Sequence, residues 1–281
     1  MKVDRPSTDR PWALIVAGGG TGGHLFPAIA VIEALRESTA PPTAIHWLCS
    51  DRPIDAEVLA AQGLEHEALP ARPFSIRPVG LLRFIGGWAP SLRQCRASIR
   101  ALRDDHQHVV MLSTGGFAAA PAAQAARVEH CPIHAVVLDD PPGKATRWIS
   151  TKAHTIHDAT LGGTFRHDQS VGPIVRRDAI APMDKASCKA RWGLDPAKPV
   201  LLITGGSLGA RTLNAFIERF VHAHCPALRS HGWQILHQTG REPAVDFEAL
   251  YADLGLPARV ETMLTPMGLA WGAADFALCR A

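Results

Sequence analysis

Residues 17–24 read AGGGTGGH, five glycines and a threonine that end on His24. Glycine lets a turn tighten and lets backbone N–H groups approach a ligand closely. The helix-like run HLFPAIAVIEALRE follows, and a helix start offers unpaired N–H groups and the positive end of its dipole, which suits a phosphate. An imidazole at that point could take the proton of an attacking hydroxyl. The plainer reading of His24 is a helix-terminal histidine that only hydrogen-bonds its own loop. The device recurs at STGGFAAAP (Ser113–Pro121) and TGGSLGAR (Thr204–Arg211). One glycine loop carries little weight. Gly18-x-Gly20-x-x-Gly23 even satisfies the dinucleotide fingerprint, with Asp51 where an NAD ribose partner could sit. Three such loops, split over two halves of the chain, point instead to a cleft between two Rossmann-like domains that grips a diphosphate and a second substrate.

Each loop needs a strand before it and a helix after it. WALIVA, AIHWLCS, HVVMLST and IHAVVL are short continuous apolar runs, the pattern of parallel strands buried on both faces. Helical patterns lie between them at Leu25–Arg36, Ile54–Gln62, Leu81–Leu102 and Pro121–Val128. VGPIVRRDAIAPMD then breaks the rhythm with prolines and charges. The reading is α/β with parallel sheets: a first Rossmann-like domain over 1–172, a linker over 173–197 and a second Rossmann-like domain over 198–281. The second opens at PVLLITGG and continues through GWQILHQTG, a helix near Val245–Leu254, ARVETML and ADFALCRA.

Composition excludes several classes. Lys+Arg 29 against Asp+Glu 26 leaves a net charge of +3, too mild to argue for nucleic acid. The six cysteines show no zinc spacing and read as reduced thiols of a cytosolic protein. No apolar run is long enough to cross a bilayer, and the polar start MKVDRPSTDRP is no signal peptide.

GGGTGGHLFPAIAVIEAL, STGGFAAAPAA, PGKATRWIS, GGSLGARTLN, HQTG and the closing CRA resemble the MurG glycosyltransferases in order and spacing, from Trp12 to the last residue. The resemblance implies a GT-B architecture of two Rossmann domains facing a cleft. It implies inverting transfer of N-acetylglucosamine from UDP-N-acetylglucosamine to the undecaprenyl-diphosphate-muramoyl-pentapeptide lipid of peptidoglycan synthesis. No metal or other cofactor is implied. Carried over by position, His24 serves the acceptor side. Thr21, Gly22 and Gly23 hold the lipid diphosphate, and Gly115, Gly116 and Phe117 form the matching second loop. Phe117 also suits plain packing. Gly205, Gly206, Ser207, Gly209 and Ala210 match the donor loop, and Arg176, Asn214, Gln238, Met263 and Arg280 match donor-side positions. Arg211 is equally a surface charge. Position 208 is Leu where the family commonly has Gln, and Pro173 replaces the Asn of the family's GNPVR. Before PGKATRW the family carries Glu-Gln-Asn; here the segment is shorter, and Asp139, the nearest equivalent of the Glu, is carried over with His24 as a catalytic candidate.

In Ala71–Arg100, Phe74, Ile76, Leu81, Leu82, Phe84, Ile85 and Trp88 are interleaved with Arg72, Arg77 and Arg83. The plain reading is an amphipathic helix packed on the sheet. The early, Pro- and Gly-broken part also suits loops that dip into an anionic membrane surface, and the resemblance implies a peripheral protein on the cytoplasmic face of the membrane. At its other end the chain stops at CRA, where the family continues into the stretch that supplies the acid gripping the donor ribose. The expectation is therefore an incomplete second domain, weak donor binding and little transfer by residues 1–281. Two alternatives go with it: a UDP-sugar transferase with a different acceptor, and a non-catalytic remnant that binds a lipid diphosphate.

Overall fold

WALIVAG becomes the central strand because its side chains are apolar on both faces. In the computed structural model, which describes residues 11–160, 169–205, 211–240 and 243–279, this stretch is β1 (Trp12–Gly18). Ile15 packs with Met111, Cys95 and Ile99 on one side of the sheet. Its neighbours Leu14 and Val16 pack with Leu25, Ile29 and Leu59 on the other. The chain divides after Arg176 into two units.

In the first unit, α1 (Gly22–Arg36), β2 (Ala44–Ser50), α2 (Pro53–Ala61) and β3 (His66–Leu69) follow β1. Then come α3 (Pro78–Asp105), β4 (His108–Gly115), α4 (Ala119–Val128), β5 (Ile133–Val137), α5 (Lys144–Ser150), β6 (Thr155–Asp158) and β7 (Gln169–Ser170). The strands form one parallel sheet in the order β3-β2-β1-β4-β5-β6-β7. Strand order reverses at β1, so the carboxyl ends of β1 and β4 border the crevice where open α/β sheets take ligands. Gly18 pairs with Gly115 there, which sets the two glycine loops side by side.

Helix α3 runs unbroken for 28 residues through Gly86, Gly87 and Pro90. A side chain at Gly87 would collide with Pro70 O, so the glycine is what lets the helix lie against the chain beyond β3. The Ser91 hydroxyl donates to Gly87 O at 2.7 Å in that turn. The helical pattern expected from Leu81 thus begins at Pro78, and the early apolar part that also suited loops forms the first turns of a helix.

The second unit contains α6 (Lys185–Arg191), β8 (Val200–Thr204), α7 (Arg211–Ser230), β9 (Gln234–Gln238), α8 (Phe247–Asp253), β10 (Ala258–Glu261), α9 (Met267–Ala273) and β11 (Phe276–Cys279). Its parallel sheet has the order β10-β9-β8-β11. Helix α6 lies within the expected linker 173–197, yet it is built into this unit. It packs on α9, and the buried Lys189 ammonium reaches Asp275 at 2.7 Å and Lys198 O at 2.7 Å. Lys185 joins the same carboxylate at 2.9 Å, and together these contacts hold the Asp275 carboxyl down at about 2 against its burial.

Candidate active site

The loop between β1 and α1 is shaped by a residue the motif does not contain. Asp55, fully buried in the first turn of α2, accepts the Gly20 N–H on both oxygens at 2.9 and 2.8 Å. It also accepts the Ser50 N–H at 3.0 Å and the Ser50 hydroxyl at 2.6 Å. A Cβ on Gly19 would collide with its Oδ2, so glycine there admits the carboxylate. The other end of the Gly20 residue is held too: Arg52 Nη1 donates to Gly20 O at 2.6 Å. The same guanidinium lies 5.2 Å over the Phe117 ring, in the second glycine loop. Phe117 therefore packs and also helps tie the two loops together. Asp51, the acid that the dinucleotide reading would use, is exposed and paired with Arg72 at 2.8 Å.

His24 sits where both loops meet. Its Nδ1 lies 2.8 Å from Thr114 O. A carbonyl only accepts, so Nδ1 carries the proton and the neutral ring keeps its lone pair on Nε2. Thr114 returns the contact through its hydroxyl, which donates to His24 O at 2.7 Å. The ring rests on the Gly115–Gly116 turn. Both glycines have left-handed backbones, φ +90° and +83°, and a Cβ on Gly116 would come within 3.2 Å of His24 Cδ2 and 2.6 Å of Gly19 O. Thr21 is the N-cap of α1, with Gly22 and Gly23 as its first residues. Their N–H groups belong to the set that a helix start leaves without intrahelical partners. One turn on, Phe26 carries the Arg176 guanidinium 4.2 Å over its ring, so Arg176 lies beside the first glycine loop. Asp139 is exposed just beyond β5, the strand next to β4.

The helical start of α3 presents an apolar patch. Phe74, Ile76, Leu81, Leu82 and Ile85 are exposed, Ile76 by 85%, while Phe84 and Trp88 are half-buried. Phe74, Phe84, Trp88 and Trp148 form an edge-to-face and tilted ladder with centroids 5.5, 5.5 and 5.7 Å apart, and Lys144 Nζ stands 5.6 Å from the Phe74 ring. Among the described residues no helix is long and apolar enough to cross a membrane. A separate groove of about 980 Å³ opens towards the starts of β1, β4 and β5, lined by Trp12, Leu14, Leu35, Val110, Val136 and Ile174. It lies at the strand ends opposite to the glycine loops and holds none of the candidate residues.

In the second unit, Gly206, Ser207, Gly209, Ala210 and Arg280 lie outside the described residues. What flanks them is ordered by side chains. The Thr204 hydroxyl, at the end of β8, donates to Gln238 Oε1 at 2.7 Å. Asn214, in the first turn of α7, donates to Thr239 O at 2.9 Å. Both Asn214 and Gln238 are buried. Behind Asn214, fully buried His237 lies 3.3 Å from its Oδ1, and the Tyr251 hydroxyl lies 2.8 Å from the other ring nitrogen. Burial pushes His237 down to about 4, so its ring is neutral, and raises the Tyr251 hydroxyl above its ordinary value. Met263 is partly exposed after β10 and Arg211 is exposed.

Asp55, Arg52, Thr114, His237 and Tyr251 were not singled out in the sequence. HQTG contains His237 and pointed at that strand end. Asp55 had no local sign beyond an acid in the first turn after Pro53.

Residues 14–157 match the glycosyltransferase family 28 N-terminal domain and residues 200–281 its C-terminal domain. Two relatives bear the name UDP-N-acetylglucosamine–N-acetylmuramyl-(pentapeptide) pyrophosphoryl-undecaprenol N-acetylglucosamine transferase. The one from Streptomyces coelicolor is 33% identical over 276 residues, covering 95% of this chain and 72% of the relative. The one from Leifsonia xyli is 34% identical over 275 residues, covering 96% and 72%. The crystal structure of MurG from Acinetobacter baumannii superposes with a TM-score of 0.65 at 23% identity, over 96% of this chain and 74% of that one; this last likeness speaks for the fold.

Proposed function

The chain belongs to the MurG family of glycosyltransferase family 28, and from that membership we propose that it transfers N-acetylglucosamine from UDP-N-acetylglucosamine to the muramoyl-pentapeptide carried on undecaprenyl diphosphate. The observation that carries the proposal is His24: Thr114 O holds its Nδ1–H, and the Gly115–Gly116 turn, which packs on Gly19 O of the first loop, lies against its ring.

The acceptor diphosphate lies against Thr21, Gly22, Gly23 and the Gly115–Gly116 turn, where backbone N–H groups and the start of α1 favour negative charge. Arg176, fixed over Phe26 beside this loop, adds a cation. The acceptor sugar hydroxyl attacks C1 of the donor. Its proton passes to His24 Nε2 as the C1–O bond to UDP breaks and UDP leaves with the bonding pair. Thr114 keeps the imidazole in the tautomer that this requires. Asp139 takes part in acceptor recognition. The second unit takes the donor through Asn214, Gln238 and Met263, with Gly206, Ser207, Gly209 and Arg280 assigned there by family position. The protein works peripherally on the cytoplasmic membrane face, with the exposed apolar residues of 74–85 in the interface and Lys144, Arg77 and Arg83 meeting anionic headgroups.

The test is transfer of labelled N-acetylglucosamine to a short-chain lipid-linked muramoyl-pentapeptide by the wild-type chain and by His24→Ala. The variant should lose roughly 10²–10⁴-fold in kcat, the usual span for a general base, with its circular dichroism and melting unchanged. Wild-type turnover by His24→Ala would remove His24 from the chemistry. Binding of the diphosphate lipid with no transfer by the wild type would favour the non-catalytic reading instead.

A further inference from the structure

Three buried side chains of the second unit and one backbone carbonyl make a directional chain of hydrogen bonds. Asn214 Nδ2 donates to Thr239 O, which leaves Asn214 Oδ1 as the acceptor facing His237 Nε2. His237 must then carry its proton on Nε2, and its Nδ1 accepts from the Tyr251 hydroxyl. The sequence runs Tyr251 O–H to His237, His237 N–H to Asn214, and Asn214 N–H to the backbone after β9. Packing keeps the ring from turning: Phe247 meets His237 edge-on at 4.5 Å, and both Phe247 and Tyr251 are buried on α8. The chain ends where two other stems meet. Gln238, next to Thr239, takes the Thr204 hydroxyl from the end of β8, and the Thr239 N–H donates to Glu261 O at 2.9 Å. A neutral imidazole with both nitrogens engaged serves no proton transfer, and nothing in the proposed reaction uses it.

We propose that Tyr251 and His237 are positioning residues for the nucleotide end of the sugar donor, acting through the Asn214 amide and the Thr239 carbonyl. The proposal rests on the assignment of the donor to the second unit. An amide side chain can flip end for end, and each end presents a different group to a ligand. His237 accepts only one of the two orientations, because its Nε2–H needs an oxygen opposite. The Thr239 carbonyl, which can only accept, selects the same orientation from the other side, and the Tyr251 hydroxyl donates to the Nδ1 that this tautomer leaves bare. The relay therefore removes the alternative arrangement of Asn214 before the nucleotide arrives, which raises affinity by lowering the ordering cost of binding.

The experiment uses the full chain, UDP as the probe, and the variants Tyr251→Phe, Asn214→Ala, His237→Gln and the double variant Tyr251→Phe/Asn214→Ala. In the wild type, nitrogen-15 spectra should show His237 as the Nε2–H tautomer. Tyr251→Phe removes one hydroxyl and should shift the Nδ1 resonance and weaken UDP binding about fivefold, the worth of one neutral hydrogen bond. His237→Gln can still donate to Asn214 and should retain most of the affinity. In the Asn214→Ala background the Tyr251→Phe change should have no further effect. Additive effects, or an Nδ1–H tautomer, would overturn the relay. If wild-type protein does not bind UDP, the donor assignment fails by itself. The relay is then decided by amide exchange: Tyr251→Phe should speed exchange at Thr239 and Gly240, and unchanged rates there would sink it.

Discussion

Behind its first glycine loop the protein has a carboxylate; at the corresponding strand end of its second unit it has an amide, an imidazole and a phenol. Asp55 gathers the Gly20 and Ser50 N–H groups and the Ser50 hydroxyl onto two oxygens. Asn214, His237 and Tyr251 pass hydrogen bonds in one direction and end on a carbonyl. The first arrangement is strong, because hydrogen bonds to a charged acceptor are about twice as strong as neutral ones. It sets backbone shape, and its charge is taken up by the N–H groups it collects. The second is weaker but orientational, since the carbonyl at its end fixes which way the Asn214 amide faces and so which nitrogen of His237 carries the proton. A loop that offers backbone N–H groups to an anion needs its main chain held; a site built from side-chain amides needs their ends told apart.

The contrast can be broken most readily at Asp55. Asp55→Ala leaves buried donors without an acceptor and should destabilise the first unit by about 3 kcal/mol, read by urea unfolding with a tryptophan probe near Trp47. Recovery by Asp55→Asn should be poor, because its NH₂ end would face N–H groups. A wild-type midpoint for Asp55→Ala would mean that the loop holds its own shape.

The second unit should be broken instead by acid. His237 has its folded value at about 4 against an ordinary 6.5, so the unfolded chain takes up a proton before the native one does. Stability from this group is complete above about pH 6.5 and declines as the pH falls through about 4, by up to about 3 kcal/mol. His237→Gln should flatten that part of the profile. His134, also lowered by burial, gives the first unit a slope in the same direction, so the comparison to make is wild type against His237→Gln. A profile unmoved by that change would mean that His237 is not the group titrating.

Asp275 acts lower on the scale. Its carboxyl stands at about 2 in the folded protein against an ordinary 3.8. Its contribution is therefore present above about pH 3.8 and is lost as the pH falls through about 2. Asp275 is partly exposed, so the worth of the pair is discounted for solvent: Lys189→Met should cost about 1 kcal/mol at neutral pH, measured as a shift in melting. No shift would remove the ion pair from the reasons α6 belongs to this unit.

A further comparison separates the units by surface. Charge reversal at Arg77 and Arg83 should weaken co-sedimentation with anionic vesicles by about 1 kcal/mol per residue, while reversal at Arg191 or Arg219 leaves it unchanged. Equal effects would make the 74–85 patch ordinary surface.

Much of this was legible in the sequence because it is local. Continuous apolar runs such as WALIVA mark strands buried on both faces, and a glycine turn followed by a helical pattern marks a strand-end loop wherever it occurs. The motifs around His24, Gly115 and Asn214 were enough to suggest the family. Other features depended on which distant residues meet. The helical pattern from Leu81 to Leu102 runs through Gly86, Gly87 and Pro90, and only the fold shows why the glycine is there: Gly87 rests on Pro70 O. Residues 185–191 read as linker, yet Asp275 holds them through Lys185 and Lys189, 90 residues away in the first case.

The sequence by itself determined the α/β pattern, the positions of the glycine loops and the histidine that follows the first of them, since each is written in neighbouring residues. Only the tertiary structure decided that Asp55 rather than Asp51 holds the first loop, that Thr114 sets the tautomer of His24, and that His237 stands between Tyr251 and the Asn214 amide. The physical reason is the same in each case. A hydrogen bond depends on ångström-scale placement, and here that placement is set by strand order and register, which bring Thr114 to His24 across 90 residues and Asp55 to Gly20 across 35.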